Sequence, residues 1–229
     1  MKLLALLGFF AFCCTVGPKA DSSKMPVHHY SFLSLGDSYT IGESVPAPDR
    51  WSVQLAGLLR EDGLDIADPE IIARTGWTTD ELQTAIQRAG EQKTYSLVSL
   101  LIGVNNQYRG QSLEKYRKEL AELLQTATRF AAGRPDRVLV LSIPDWGQSA
   151  FAEGRDRQAI AREIDAFNAV AAEECRKARI SFIDITPLTR AAAGDPTQFA
   201  DDGLHYSGNQ HRLWAQTARA VAAQKLRTP

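Results

Sequence analysis

The 229 residues, 44% of them hydrophobic, suffice for one α/β domain with a substantial core. Setting aside Lys2 and Lys19 of the N-terminal leader leaves 24 Lys and Arg against 27 Asp and Glu, a formal net charge of −3. No basic block, aromatic-basic interleaving or Lys-rich helix face accompanies that balance, which excludes nucleic acid as the expected partner.

Residues 1–20, MKLLALLGFFAFCCTVGPKA, hold one lysine, an unbroken apolar run from Leu3 to Val16, and then small residues. This is the pattern of a secretory signal peptide, too short to span a bilayer comfortably, with cleavage after Ala20 or Gly17. Cys13 and Cys14 raise lipid anchoring as a second option, although Phe12 stands where a lipoprotein cleavage site has a small residue. Either route predicts an exported protein, periplasmic or secreted, whose mature chain keeps only Cys175 and so forms no internal disulfide. Cys175 continues the helical stripe of Ile164, Phe167, Ala171 and Ala178, which predicts a core position. A polar leader over 21–27 precedes a single domain over 28–229.

Within that domain apolar runs alternate with amphipathic ones. YSFLSL (30–35) is the first predicted strand, followed by a helix over 50–61 with Trp51, Leu55, Leu58 and Leu59 on one face. EIIAR (70–74) is the second strand, and the next helix is capped near Thr78 or Thr79 and closed by Gly90. YSLVSLLIG (95–103) reads as a strand buried on both faces. A long helix starts at the Ser112 cap, RVLVLSI (137–143) is the fourth strand, and another long helix covers 156–178. ISFIDI (180–185) is the fifth strand. A capped turn at Thr186–Pro187, an irregular stretch and a last helix opened by Ser207 complete the chain. This alternation predicts a mostly parallel five-stranded sheet with helices on both faces, a three-layer α/β/α sandwich.

In such sheets, sites form beyond the carboxyl ends of the strands. Ser38 in LGDSYT lies just past the first strand, and Gly76 in ARTGWT past the second. Asn105 in LIGVNNQ follows the third strand, and His205 in DDGLHYS lies in the irregular stretch after the fifth. All four fall at one end of the sheet, and their chemistry suits one task. A serine hydroxyl becomes a nucleophile when a base such as imidazole takes its proton. Asp202, three residues before His205, is placed to fix the ring's tautomer and stabilise its cation. The N–H groups of Ser38 and Gly76 and the Asn105 amide are three donors for the oxyanion that attack on an ester would create.

These blocks resemble the GDSL-type, or SGNH, hydrolases, named for a serine, glycine, asparagine and histidine in four sequence blocks. Ser38 in GDS, Gly76, Asn105 in GVNN, and Asp202 with His205 in DGLH match the blocks in order, and the likeness runs from about Tyr30 to the last helix. It implies a flavodoxin-like α/β/α fold and cofactor-free, metal-free hydrolysis of esters or thioesters through an acyl-serine. One position departs: the third block usually reads Gly-x-Asn-Asp, and Asn106 stands for the aspartate, which puts local hydrogen bonding and substrate in question.

Other residues carry weaker signals. Asp201 competes with Asp202 for the orienting role, but the spacing favours Asp202. His211 reads as surface or packing, and a metal site from Asp201, Asp202, His205 and His211 lacks a dense ligand motif. His28 and His29 carry no signal. Trp77 is either a pocket wall or core packing, while Trp146 and Phe151 are the other large apolar residues near the site. The loops NNQYRGQ and PDWGQSAFAEGRDR look short and polar. An esterase for short acyl chains, with a small-molecule ester or acylated carbohydrate as substrate, fits best. An acyltransferase on the same residues, a lysophospholipase or thioesterase, and a non-catalytic binder stay open as alternatives.

Overall fold

A computed structural model describes residues 30–90 and 92–228. The predicted signal peptide, the alternative lipid sites Cys13 and Cys14, the polar leader, His28 and His29 lie outside the described residues. Five strands form one fully parallel sheet: β1 (Phe32–Gly36), β2 (Glu70–Ala73), β3 (Leu97–Leu101), β4 (Val138–Leu141) and β5 (Ser181–Ile183), in the order β2-β1-β3-β4-β5. β1, β3 and β4 are buried along their whole length, whereas β2 and β5 at the edges are partly exposed. This is why the central runs are nearly unbroken in apolar residues. The two serines that interrupt them, Ser34 and Ser99, are satisfied by each other, Oγ to Oγ at 2.9 Å.

The connecting helices are α2 (Trp51–Glu61), α3 (Thr79–Ala89), α5 (Leu113–Phe130) and α6 (Arg157–Ala178), and α8 (Gly208–Arg227) ends the chain. Right-handed crossovers put α2 on one face of the sheet and α3, α5 and α6 on the other. α8 packs against α2, and α5 against α6. The caps follow the sequence: Thr78 and Glu81 make a reciprocal capping box, Ser112 accepts from the Lys115 N–H, and Gly90 closes α3 in the left-handed region. Cys175 is fully buried on α6, and burial pushes its thiol up to about 12. No helix among the described residues is long and apolar enough to cross a membrane.

Three short helices depart from the sequence reading. Ser38–Ile41 (α1) and Val104–Tyr108 (α4) lie where loops were expected, and Thr186–Ala191 (α7) extends the expected turn. Each is four to six residues long, below the length at which hydrophobic periodicity can be seen. α1 and α4 follow β1 and β3, the adjacent strands from which the chain winds outward in both directions. Such a reversal of strand order opens a crevice at the carboxyl ends.

Candidate active site

α1 carries Ser38 as its first residue. Asp37 caps it, its Oδ1 accepting the Tyr39 N–H at 3.0 Å. The approach is tight: a Cβ on Gly36 would overlap Leu101 O and Thr40 Oγ1, so only glycine lets β1 end against β3 at this point. As the first helical residue Ser38 has no intrahelical acceptor for its N–H, which leaves that donor unused within the helix. Asp37 is fully buried and its Oδ2 has no partner among the described residues. Burial raises its carboxyl to about 7, against the opposing pull of the Tyr39, Asp37 and Gly103 N–H groups.

Gly76 follows β2 with φ +87°, a conformation that glycine adopts without strain. Its carbonyl accepts from Arg109 Nη2 at 2.5 Å, which ties the turn to the end of α4. Asn105, on α4, gives one amide hydrogen to Trp77 O at 2.9 Å and retains a second. Trp77 therefore acts through its carbonyl; its ring packs on the core and is not part of the cavity wall. Asn106 answers the question its departure raised. It is fully buried, its Oδ1 accepts the Thr79 N–H at 3.2 Å, and its Nδ2 donates to Thr79 Oγ1 at 2.7 Å and Gln111 Oε1 at 2.9 Å. Both ends of the amide are used, tying the start of α3 to α4.

His205 sits between Asp202 and the Ser207 cap of α8, its backbone carbonyl accepting from Ala200 N at 2.8 Å. Its Nδ1 lies 2.6 Å from Asp202 Oδ2, and the edge of the Tyr39 ring packs on it at 5.7 Å between centroids. Asp202 also accepts the Leu204 and His205 N–H groups on Oδ1, each at 2.9 Å, and the Ser44 hydroxyl on Oδ2 at 2.7 Å. Partial burial raises its carboxyl, but these four donors outweigh that and bring it to about 2, so it is an anion across the physiological range. Asp201, the competitor, makes no such bond and is exposed.

Ser38, Gly76, Asn105 and His205 line one cavity of about 190 Å³. Its apolar wall is Val104, Tyr108, Trp146, Phe151 and Leu204. Trp146 and Phe151 were expected there. Tyr108 and Leu204 were missed, Tyr108 because NNQY read as a polar loop. Trp146 is anchored by its Nε1 to Gln107 Oε1 at 2.8 Å. His211 is elsewhere, buried rather than on the surface. Its Nδ1 accepts the Trp51 N–H at 3.2 Å and its ring stacks on Trp214, so burial lowers its pKa to about 3. Among the described residues no three His, Cys, Asp or Glu side chains converge as metal ligands.

A parallel α/β/α sheet with an acid-oriented histidine, a helix-start serine and spare amide donors around one small cavity describes a serine-hydrolase-like fold and site. The chain belongs to the GDSL-like lipase/acylhydrolase family, whose model matches residues 34–213, and is a carboxylic ester hydrolase of that kind. Its fold is similar to that of the psychrotrophic esterase EstA from Pseudoalteromonas sp., with a TM-score of 0.67 and 16% identity over 87% of this chain and 100% of that one. It is also similar to the lipase/acylhydrolase from Enterococcus faecalis (TM-score 0.59, 18% identity, covering 85% of this chain and 96% of that one). The acetylxylan esterase Axe2 from Geobacillus stearothermophilus gives 0.62 at 16% identity, covering 88% and 96%. A search of curated proteins finds no match to the sequence.

Proposed function

We propose that the protein is an exported esterase that cleaves short-chain carboxylic esters through an acyl-serine, with acylated carbohydrates among its substrates. One observation carries the reading: His205, oriented by Asp202, opens onto the same small cavity as Ser38 and the spare donors of Gly76 and Asn105. Asp202 holds the ring proton on Nδ1, leaving Nε2 as the base. Nε2 takes the Ser38 proton while Oγ attacks the ester carbonyl. The oxyanion is received by the N–H groups of Ser38 and Gly76 and by the second amide hydrogen of Asn105. The tetrahedral adduct collapses, the imidazolium protonates the leaving alcohol, and the acyl group stays on Oγ. Water, deprotonated by Nε2, repeats the sequence and frees the acid. Export rests on the apolar N-terminal run, and the carbohydrate reading on the polar character of the surrounding loops.

The test is labelling by a fluorophosphonate probe, with the modified residue located by peptide mass spectrometry, alongside hydrolysis of 4-nitrophenyl acetate. Modification at Ser38, lost together with hydrolysis in Ser38→Ala, is the expected result. Undiminished hydrolysis in Ser38→Ala overturns the assignment.

A further inference from the structure

The aromatic wall of the cavity carries a cation. Tyr108, Trp146 and Phe151 form a triangle of rings with centroids 5.5–6.3 Å apart, and Tyr108 and Phe151 are among the most exposed large apolar residues described. Over this triangle lies the guanidinium of Arg155, its Cζ 4.9 Å from the Phe151 centroid, 5.4 Å from Trp146 and 5.6 Å from Tyr108. The rings fix the charge by cation–π attraction without using an N–H group. Neighbouring arginines differ. Arg109 gives its N–H groups to Gly76 O and Glu81, Arg157 to Gly147 O and Ser149 O, and Arg190 to Asp145 and Asp165. Among the described residues no side chain or carbonyl accepts from the Arg155 guanidinium, and no carboxylate pairs with it. Of the nearby acids, Asp156 caps α6 and pairs with Arg162, and Glu153 forms no ion pair with Arg155 among the described residues.

We propose that Arg155 on this aromatic platform is an anion subsite at the mouth of the active cavity. It selects esters whose protruding part ends in a carboxylate or another small anion. The same three rings line the cavity while Arg155 lies over them outside its lining, 4.9 Å from the Phe151 centroid, where a substrate group protruding past that ring would find it. A guanidinium fork pairs with a carboxylate in two parallel hydrogen bonds. This inference rests on the esterase reading.

Two pairs of substrates isolate the charge: 4-acetoxybenzoate against 4-acetoxybenzamide on the alcohol side, and 4-nitrophenyl hemiglutarate against 4-nitrophenyl glutaramate on the acyl side. In at least one pair the charged member is expected to have the higher kcat/KM, by roughly three- to thirtyfold, chiefly through KM. The ratio should shrink as salt is raised, because the site is exposed. In Arg155→Gln the ratio should fall to about one, with Arg155→Lys between. A ratio of one or below for both pairs in the wild type, or a preference that survives Arg155→Gln, overturns the subsite. Hydrolysis of the neutral esters separates that outcome from failure of the esterase reading, in which no member of either pair is cleaved.

Discussion

The hydroxyl of Ser44 donates to the same oxygen, Asp202 Oδ2, that faces His205 Nδ1, at 2.7 Å against 2.6 Å. Ser44 lies on the turn leaving α1, in the left-handed region at φ +59°. The helix that carries the nucleophile is thus tied to the acid that orients its base, 158 positions away in the chain. Ser44→Ala removes one of four donors from a carboxylate held at about 2. We expect the carboxylate, with one tie fewer, to hold the His205 ring less firmly, so that kcat falls about tenfold with little change in KM. Turnover of a short-chain ester measures this, and an unchanged kcat would reduce Ser44 to a loop residue.

Asn105 makes a second test of the site. Its amide spans two partners, Trp77 O and the proposed oxyanion position. Asn105→Ala should lower kcat by roughly 10²–10³ with little change in KM, because the donor acts on charge that develops only in the transition state. A thermal melt distinguishes this from loosening of the Trp77 loop. An unchanged kcat would make Asn105 a structural tie alone.

Much of this architecture is legible in the sequence, and the reasons for the remainder are specific. β3 and β4 announce themselves as unbroken apolar runs because both faces are covered, and the Ser112 and Thr78 caps mark helix starts by local chemistry alone. The placement of Ser38, Gly76, Asn105 and His205 at one end follows from strand polarity. Tyr108 was missed and Trp77 was left open for a common reason. Their direction is set by a one-turn helix and by the turn at Gly76, neither of which leaves a period to read. Ser44 and Arg155 are silent in the sequence, since each acts through a contact made only when distant loops meet.

Asn106 yields a prediction about the family departure. Its Nδ2 donates to Thr79 Oγ1, which in turn donates to Glu119 Oε2 at 2.5 Å. The direction of this chain depends on an amide at position 106. With Asn106→Asp, two carboxylates compete for one hydroxyl proton, and Gln111 loses its donor. Restoring the usual family residue should therefore destabilise the protein by about 1–3 kcal/mol. The double variant Asn106→Asp with Glu119→Gln should recover part of that loss in urea melts, whereas no recovery would uncouple the two residues.

The stability profile should record two buried groups pulling in opposite directions. His211, lowered to about 3, binds its proton only in the unfolded chain between about pH 3 and 6.5, so its contribution is present above pH 6.5 and lost as pH falls. Asp37, raised to about 7, holds a proton in the folded chain from about pH 4 to 7, so its contribution is present at low pH and lost as pH rises through 7. Each changes stability by up to about 1.4 kcal/mol per pH unit. Over their shared window the two slopes offset each other. His211→Gln should therefore uncover stability that falls with rising pH, and Asp37→Asn stability that rises. Urea midpoints between pH 4 and 7 read both slopes. Parallel profiles for the two variants would contradict the assignment.

The cavity volume sets the final prediction, on acyl length. At about 190 Å³ it is smaller than most sites for drug-sized ligands. Trp146 bounds it, buried and pinned to Gln107, so this wall does not retreat to admit a chain. A methylene that finds apolar burial gains about 0.8 kcal/mol, close to fourfold in kcat/KM, and one left in water gains nothing. Rates should thus be highest for acetyl to butyryl 4-nitrophenyl esters and fall beyond about six carbons. Trp146→Ala should raise the octanoyl-to-butyryl ratio of kcat/KM even as it lowers stability, because removing the indole deepens the cavity beside Phe151. The ratio is read on protein shown folded by circular dichroism. A steady climb in kcat/KM out to decanoyl in the wild type would sink this account and point to a groove along the exposed faces of Tyr108 and Phe151, and with it to a lipid substrate.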